Sequence, residues 1–212
     1  MVQVKICGLT NFEDAQLSIQ SGASALGFIF AESPRKVSKE IVRDIITKLE
    51  SDKTNLTSVF KVGVFVNEDA KKIIKIAEYC KLTHIQLHGD ESPEYCEHIP
   101  FSIIKAFRVR DGSFVREIKK YQNIFAFLLD AYQKEIRGGT GKQFDYALLK
   151  DLPREKVFFL SGGLNPDNIV EAVKMANPDW VDVSSGIESS PGKKDKSKIL
   201  KLFQNLKSAN LI

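Results

Sequence analysis

Short apolar runs alternate with amphipathic stretches along the chain. Eight runs are rich in β-branched and aromatic residues, and they lie at 2–7, 25–30, 59–66, 83–88, 102–108, 124–130, 157–161 and 180–184. Most of them are apolar at consecutive positions, which is typical of parallel strands that helices cover on the outside. The pattern therefore predicts eight parallel strands joined by helices.

Helix start signals lie in the gaps between these runs. Thr10 and Glu13 have the spacing of a capping box, and Ser38 precedes a second apolar stripe. Further helix starts are predicted at Asn67, Ser92-Pro93, Asn165-Pro166 and Asp195. These signals support a chain in which helices alternate with strands.

The number of strands selects the architecture. Eight strands within 212 residues lie near the lower size limit of the (β/α)₈ barrel, whereas a doubly wound sheet of this length usually has fewer strands. No linker or change of composition divides the chain. We therefore expect an α/β protein with a single (β/α)₈ TIM barrel over residues 1–212, whose chemistry lies at the carboxyl ends of the strands.

Composition and cysteine usage indicate the compartment. The chain is 43% hydrophobic and 27% charged, which is ordinary for a globular protein. It has no apolar run long enough to span a membrane and no signal-peptide pattern at its start, so we expect a cytoplasmic location. Cys7, Cys80 and Cys96 lie far apart in the sequence, as expected of free thiols in a reducing compartment.

The charge balance narrows the choice of partner. There are 31 Lys and Arg against 27 Asp and Glu, a net charge of +4, which is too mild for a dedicated nucleic-acid binder and suits a small anionic substrate. Lys193, Lys194 and Lys196 form one basic cluster without interleaved aromatic residues. We expect this cluster to be a solvated helix entry, with neither nucleic acid nor membrane as a partner.

The first strand ends in the segment KICGLT, residues 5–10. Alternation along a strand places Lys5 on the inward face below Cys7, which reaches the rim. Cys7 is then either a small buried apolar residue or a thiol that a nearby cation activates. Asp182 points inward two residues before Ser184 on the neighbouring eighth strand, so we predict a Lys5–Asp182 ion pair below the rim.

Asp130 stands at the tip of the sixth strand. Its carboxylate there could cap a turn, pair with Lys5, or act as an acid or base. The glycine-rich segment RGGTGKQ follows at 137–143. It is not an ATP-binding P-loop, because Ile136 and Gln143 stand where that motif requires glycine and Ser or Thr.

Two glycine-containing loops follow the last two strands, SGGLNPD at 161–167 and DVSSGIE at 182–188. Barrels frequently bind phosphate between these two loops, through backbone N–H groups and helix N-termini. The glycines could also simply form tight turns. The candidate phosphate-binding residues are Gly162, Gly163, Ser185 and Gly186.

His88 and Arg35 are further candidates at the mouth. His84 and His88 lie on one strand, where four residues span about 13 Å, which is too far for a shared metal ion. His88 could contact substrate or order its own loop. Arg35 could be an ordinary surface charge or a bidentate partner for a carboxylate.

Several motifs, taken together and in order, carry a resemblance to a known family. They are KICGLT, SPR, GVFVN, QLHG, LLD, GGTGKQFD, SGGLNPD and VDVSSGIE. This combination resembles the phosphoribosylanthranilate isomerases of tryptophan biosynthesis, from residue 2 to the segment 191–195. The resemblance implies a (β/α)₈ barrel and a cofactor-free Amadori rearrangement of N-(5-phosphoribosyl)anthranilate to 1-(o-carboxyphenylamino)-1-deoxyribulose 5-phosphate.

The resemblance also implies residue roles. Cys7 is similar to the family's general base, Asp130 to its general acid, and Arg35 to its contact with the anthranilate carboxylate. Gly163, Ser185 and Gly186 fall in its phosphate loops. By their positions alone, His88 and Asp182 are further candidate contacts with the substrate, and Gly162 is a further candidate contact with its phosphate. We expect no metal and no cofactor, and a monomer, with a homodimer as the alternative. Lys36 and Gln143 depart from the family's usual residues, which puts only details of the substrate loops in doubt.

Two other function classes remain as alternatives. Related phosphate-binding barrel enzymes include the Amadori isomerase of histidine biosynthesis, ribulose-phosphate epimerase and indole-glycerol-phosphate synthase. Their expected marks, an Asp in place of Cys7, metal ligands at the strand tips, or a longer N-terminus, are not found in the sequence. A non-enzymatic barrel that binds a phosphometabolite would have no need of both Cys7 and Asp130.

Overall fold

Eight parallel strands form a closed barrel in chain order. The computed structural model describes residues 1–52, 56–109, 112–130, 149, 152–153 and 155–212. The strands of the barrel are β1 (Gln3–Cys7), β2 (Ala25–Ile29), β3 (Phe60–Phe65), β4 (His84–Leu87), β5 (Ser102–Arg108), β6 (Ala126–Asp130), β7 (Val157–Ser161) and β8 (Trp180–Val183). The predicted barrel is confirmed, and no strand boundary differs from the prediction by more than two residues.

Helices follow most strands on the outside of the barrel. They are α1 (Phe12–Ser21), α2 (Lys39–Ser51), α3 (Ala70–Cys80), α4 (Pro93–Glu97), α5 (Phe114–Ile118), α6 (Ile169–Ala176) and α7 (Lys196–Ser208). After β8 come a short 3₁₀ helix (Ser185–Ile187) and a hairpin of β9 (Glu188–Ser190) and β10 (Lys193–Lys194). The glycine-rich segment 137–143 lies outside the described residues.

Three of the predicted helix caps are confirmed and three are wrong. The side chains of Ser38, Ser92 and Asp195 each accept a backbone N–H in the first turn of α2, α4 and α7. In α1 the cap is Asn11, which accepts the N–H of Asp14 at 2.8 Å. Thr10, the predicted cap, instead directs its hydroxyl to the carbonyl of Gly192 and lies one residue before the observed cap.

The other two corrections both concern asparagine side chains. Asp69 caps α3, while Asn67 adopts a positive φ of 49° and accepts the backbone N–H of Asp90 from the next loop. Asn165 accepts the N–H groups of Asp167 and Asn168, which builds a turn before α6 begins. An Asn side chain can cap either a helix or a turn. A contact with a distant loop takes Asn67 from the helix, whereas Asn165 caps a local turn that precedes it.

Apolar and aromatic side chains fill the lower part of the barrel. The interior cluster is Ala25, Val62, Ile104, Ala106, Ala126, Leu128, Phe159 and Trp180. His84 stacks on Phe60 with ring centroids 3.9 Å apart, and burial lowers its pKa to about 4. The His84 imidazole is therefore neutral at pH 7. Because the lower part of the barrel is filled with apolar side chains, polar chemistry is expected at the open end.

Candidate active site

A buried ion pair lies at the centre of the barrel. Lys5 Nζ is 2.8 Å from Asp182 Oδ1, and the exposed fractions of the two side chains are 0% and 6%. The two residues are register partners on β1 and β8, which are neighbours because the barrel closes. The ion pair predicted from alternation is thus confirmed. Lys5 keeps a raised pKa because Asp182, together with Cys7, outweighs the opposing effect of burial.

Cys7 lies at the end of β1 beside this pair. Gly27 on β2 leaves room for it, since a β-carbon there would lie 2.8 Å from Cys7 Sγ and 3.1 Å from Lys5 Nζ. Burial raises the thiol pKa, and Lys5 and Lys194 act in the opposite direction. The expected electropositive setting is present, but desolvation outweighs it. The thiol form of Cys7 is therefore favoured at neutral pH.

Asp130 lies at the tip of β6 and pairs with His88 from the loop after β4. His88 Nε2 is 3.4 Å from Asp130 Oδ2, and Gln86 Nε2 is 3.0 Å from His88 Nδ1. An amide NH₂ group only donates, so Nδ1 accepts and the proton of the neutral ring lies on Nε2, toward Asp130. The alternative pairing of Asp130 with Lys5 is wrong, since Lys5 pairs with Asp182.

The two glycine loops meet beside the ends of β7 and β8. Gly162 and Gly163 have φ values of 101° and 68°, which residues other than glycine adopt only at a cost. A β-carbon on Gly186 would lie 2.0 Å from the carbonyl oxygen of Leu164, so the second loop packs directly on the first. Ser185 begins the 3₁₀ helix within the second loop. The four candidate phosphate residues are brought together on one side of the mouth.

Arg35 crosses the mouth from the loop after β2. Its Nε lies 2.8 Å from Glu188 Oε1 and its Nη2 lies 2.6 Å from Glu188 Oε2. Gly8 lets the side chain pass, because a β-carbon there would lie 2.6 Å from Arg35 Cδ. The Arg35 guanidinium is therefore paired with Glu188 on one edge and is not an unpaired surface charge.

The sequence did not identify three residues of this site, namely Gln86, Glu188 and Lys194. Glu188 holds Arg35, and Gln86 orients His88. Alternation along QLHG places Gln86 and His88 on one face, a signal that could have revealed the second contact. The expectation that the basic cluster is solvated is wrong for Lys194, whose side chain is 0% exposed and pairs with Glu188 at 2.9 Å. The buried carboxylate of Glu188, in the same hairpin, pairs with the ammonium and so accounts for the burial of Lys194.

The described residues contain neither a membrane-spanning helix nor a cluster of metal ligands. Within the described ranges no helix is long and apolar enough to cross a membrane. The same part of the chain contains no group of three or more His, Cys, Asp or Glu side chains placed to hold a metal ion. His84 lies in the barrel floor and His88 at its mouth, as their spacing on a strand requires.

Comparisons with known proteins agree on one family. The family model described as N-(5′-phosphoribosyl)anthranilate isomerase matches residues 4–205. The N-(5′-phosphoribosyl)anthranilate isomerase of Trichlorobacter lovleyi is 43% identical over 211 residues, which cover 99% of this chain and 100% of that protein.

Solved structures give the same result. The phosphoribosylanthranilate isomerase of Thermotoga maritima is 42% identical, with a TM-score of 0.86 and coverage of 98% of this chain and 100% of that chain. A second structure, in complex with reduced 1-(o-carboxyphenylamino)-1-deoxyribulose 5-phosphate, is 40% identical with a TM-score of 0.83 and the same coverage. The chain therefore belongs to the family of N-(5′-phosphoribosyl)anthranilate isomerases.

Proposed function

We propose that Cys7 is the general base and Asp130 the general acid of this isomerase. The chain catalyses the isomerisation of N-(5′-phosphoribosyl)anthranilate in tryptophan biosynthesis. The observation that carries the assignment is the position of the two groups: each ends a strand at the open end of the barrel, and β7 and β8 separate them. A thiol beside an ammonium and a carboxyl beside an imidazole form a pair suited to acid–base chemistry.

The reaction needs two proton transfers at the start. Asp130, in its protonated form, gives a proton to the ring oxygen as the C1′–O bond breaks, which leaves an iminium at C1′. Cys7, as thiolate, then removes the proton from C2′ and forms an enolamine. Ketonisation adds a proton at C1′ and releases one from the C2′ hydroxyl, so the net reaction transfers no proton to solvent.

The neighbours of the two groups fit these charges. Lys5 stabilises the thiolate that Cys7 must form, because its ammonium lies beside the sulfur in a buried site. His88 presents its Nε2–H toward Asp130 and is placed to stabilise the carboxylate that forms when the acid has given up its proton. Each catalytic group therefore has a partner that favours its ionised form.

Substrate binding uses the remaining residues of the mouth. The phosphate is held by the backbone of Gly162, Gly163, Ser185 and Gly186, and the anthranilate carboxylate by Arg35. Asp182 and His88 border the sugar between these two ends. Oε1 of Gln86 and Oγ of Ser184 are buried and have no hydrogen-bond partner among the described residues. Sugar hydroxyl groups are suited to satisfy both atoms.

A coupled fluorescence assay with freshly made N-(5′-phosphoribosyl)anthranilate tests the two catalytic assignments. Wild-type protein is expected to convert this substrate, whereas variants at Cys7 or Asp130 lose turnover while the protein remains folded. Near-native turnover by either variant would remove that residue from the mechanism.

Arg35→Ala is expected to raise KM by about 10-fold or more and to leave kcat nearly unchanged. The substrate carboxylate keeps its charge during the reaction, so a contact with it stabilises ground state and transition state equally. A charge-assisted contact is worth enough to give this factor. Steady-state kinetics check the result, with the exposed Arg116 as the matched Arg→Ala control. A fall in kcat at unchanged KM would place Arg35 in the chemical step instead.

Inorganic phosphate is expected to inhibit competitively at concentrations of roughly tens of millimolar. The two glycine loops offer backbone donors to a dianion whether or not it is attached to a sugar. Initial rates at several substrate concentrations distinguish competitive from mixed inhibition. If the rate did not respond to phosphate at these concentrations, with sodium chloride at equal ionic strength as control, the phosphate loops would lose their support.

The oligomeric state and the cellular compartment are also proposals. We infer a monomer, because a single barrel brings Cys7, Asp130 and Arg35 to one mouth; a homodimer is the alternative, and the isomerase of Thermotoga maritima is dimeric, with monomers generated from it. Cys7, Cys80 and Cys96 are unpaired. Three free thiols support the cytoplasm as the compartment.

A further inference from the structure

The hairpin after β8 contains two buried charges for which the reaction has no direct use. Glu188 begins β9 and Lys194 ends β10, and their side chains are 5% and 0% exposed. Burying charged side chains is costly in free energy unless they pair with one another or with a third group. The third group here is Arg35, which lies at the mouth of the barrel.

Glu188 occupies one edge of the Arg35 guanidinium. Nε donates to both carboxylate oxygens, at 2.8 and 3.1 Å, and Nη2 donates to Oε2 at 2.6 Å. A guanidinium has five N–H donors. The contact with Glu188 uses the Nε edge and leaves the edge formed by Nη1 and Nη2 for a second carboxylate. The Arg35 side chain is 21% exposed, so this group is accessible from the mouth.

Glu188 is itself held from below. Lys194 Nζ donates to Glu188 Oε1 at 2.9 Å, to the carbonyl of Cys7 at 2.6 Å and to the carbonyl of Ser184 at 3.2 Å. All three ammonium donors are thus used. The backbone N–H of Gly192 also reaches Glu188, at 3.3 Å. This framework connects the orientation of Arg35 to the ends of β1 and β8.

The charge states of Glu188 and Arg35 are consistent with a fixed carboxylate, while burial lowers the pKa of Lys194 against the opposing effect of Glu188. Burial alone would raise the pKa of Glu188, but hydrogen bonds and charge from Arg35 and Lys194 outweigh it and hold the pKa below its usual value. Glu188 is therefore ionised at neutral pH. The pKa of Arg35 is raised, chiefly by its hydrogen bonds to Glu188.

We propose that Glu188, anchored by Lys194, is a positioning residue that fixes Arg35 so that its free edge faces the carboxylate of the substrate's aromatic ring. This inference rests on the proposed role of Arg35. It makes the hairpin a determinant of specificity, because only a substrate that carries an anionic group on its ring benefits from the fixed guanidinium.

Two ligands that differ by one group test the proposal. The first is reduced 1-(o-carboxyphenylamino)-1-deoxyribulose 5-phosphate, and the second is the same compound without the carboxyl group. Dissociation constants are measured by calorimetry for wild type, Glu188→Gln, Arg35→Ala and the double variant. Glu32→Gln, which removes a charge from an exposed residue of the Arg35 loop, is the charge-matched control.

We expect Glu188→Gln to weaken binding of the carboxylated ligand by about tenfold, the scale of one charge-assisted hydrogen bond. Binding of the ligand without the carboxyl group should change by less than about twofold. In the Arg35→Ala background the same substitution should have no further effect, since its route of action is gone. Glu32→Gln should leave both constants unchanged.

Three outcomes would overturn the inference. Equal weakening of both ligands would mean that Glu188 merely supports the pocket, tighter binding of the carboxylated ligand would mean that Glu188 competes for Arg35, and no change would mean that it has no effect on Arg35. If Arg35→Ala itself failed to discriminate between the ligands, the role proposed for Arg35 would fail first. Should Glu188→Gln not fold, Glu188→Asp keeps the charge but shortens its reach, and is expected to discriminate in the same direction.

Discussion

Cys7→Ala and Asp130→Asn are each expected to lower kcat by at least about 10²-fold, the usual contribution of a positioned acid or base. Alanine cannot accept the C2′ proton, and an amide cannot give one to the ring oxygen. Both substitutions are small and lie at strand ends at the mouth, so the barrel should still fold. Single-turnover kinetics with N-(5′-phosphoribosyl)anthranilate measure the chemical step directly.

Matched controls separate chemistry from packing. Cys80→Ala removes a second buried thiol, one in α3 whose pKa burial raises to about 11, and Asp44→Asn removes an exposed carboxylate of α2 that is paired with Lys48. Neither control should change kcat by more than about twofold, since neither touches the mouth. A Cys7→Ala or Asp130→Asn enzyme with turnover like its control would contradict the assignment of that residue.

Lys5→Met is expected to reduce the free energy of unfolding by roughly 3–5 kcal/mol, because it leaves the Asp182 carboxylate buried without its partner. Urea denaturation followed by circular dichroism measures the loss. The double variant Lys5→Met with Asp182→Asn should recover part of it, since no uncompensated charge then remains. A single variant as stable as wild type would show that the pair is compensated by water or by another group.

Lys5→Met should also alter the titration of the Cys7 thiol. Burial raises the pKa of Cys7, and the Lys5 ammonium lowers it. Alkylation by iodoacetamide requires the thiolate, so the alkylation rate of Cys7, followed by mass spectrometry, should increase with pH and have a midpoint above the ordinary thiol range. Removing the cation raises the thiol pKa further and moves this midpoint to higher pH. A midpoint that stayed in place, in a protein that had lost stability, would limit Lys5 to a structural role.

Much of the fold could be predicted because burial imposes a simple pattern. Parallel strands covered on both faces favour consecutive apolar residues, and β2, β6 and β7 show this pattern most clearly. Alternation with a period of two also placed Lys5, Cys7 and Asp182 on the inner face, and closure of the barrel made β1 and β8 neighbours. The ion pair followed from these two facts alone.

Helix caps were harder to predict, because the competing partners lie far away in sequence. Thr10 matches a capping box, but its hydroxyl bonds Gly192, which lies at the other end of the chain. Asn67 similarly bonds the loop after β4. A local motif shows that a side chain is able to bond a nearby backbone N–H. A tertiary hydrogen bond of similar strength can replace that local bond.

The sequence by itself determined the barrel, the order of its strands and the set of residues that reach its mouth, since these depend on periodicity and on strand position. Only the tertiary structure decided how the charges at the mouth are paired. Arg35 and Glu188 lie 153 residues apart, and nothing local indicates that one holds the other. The solvation of Lys194 was likewise mispredicted, because burial of a charge depends on a partner that folding brings to it.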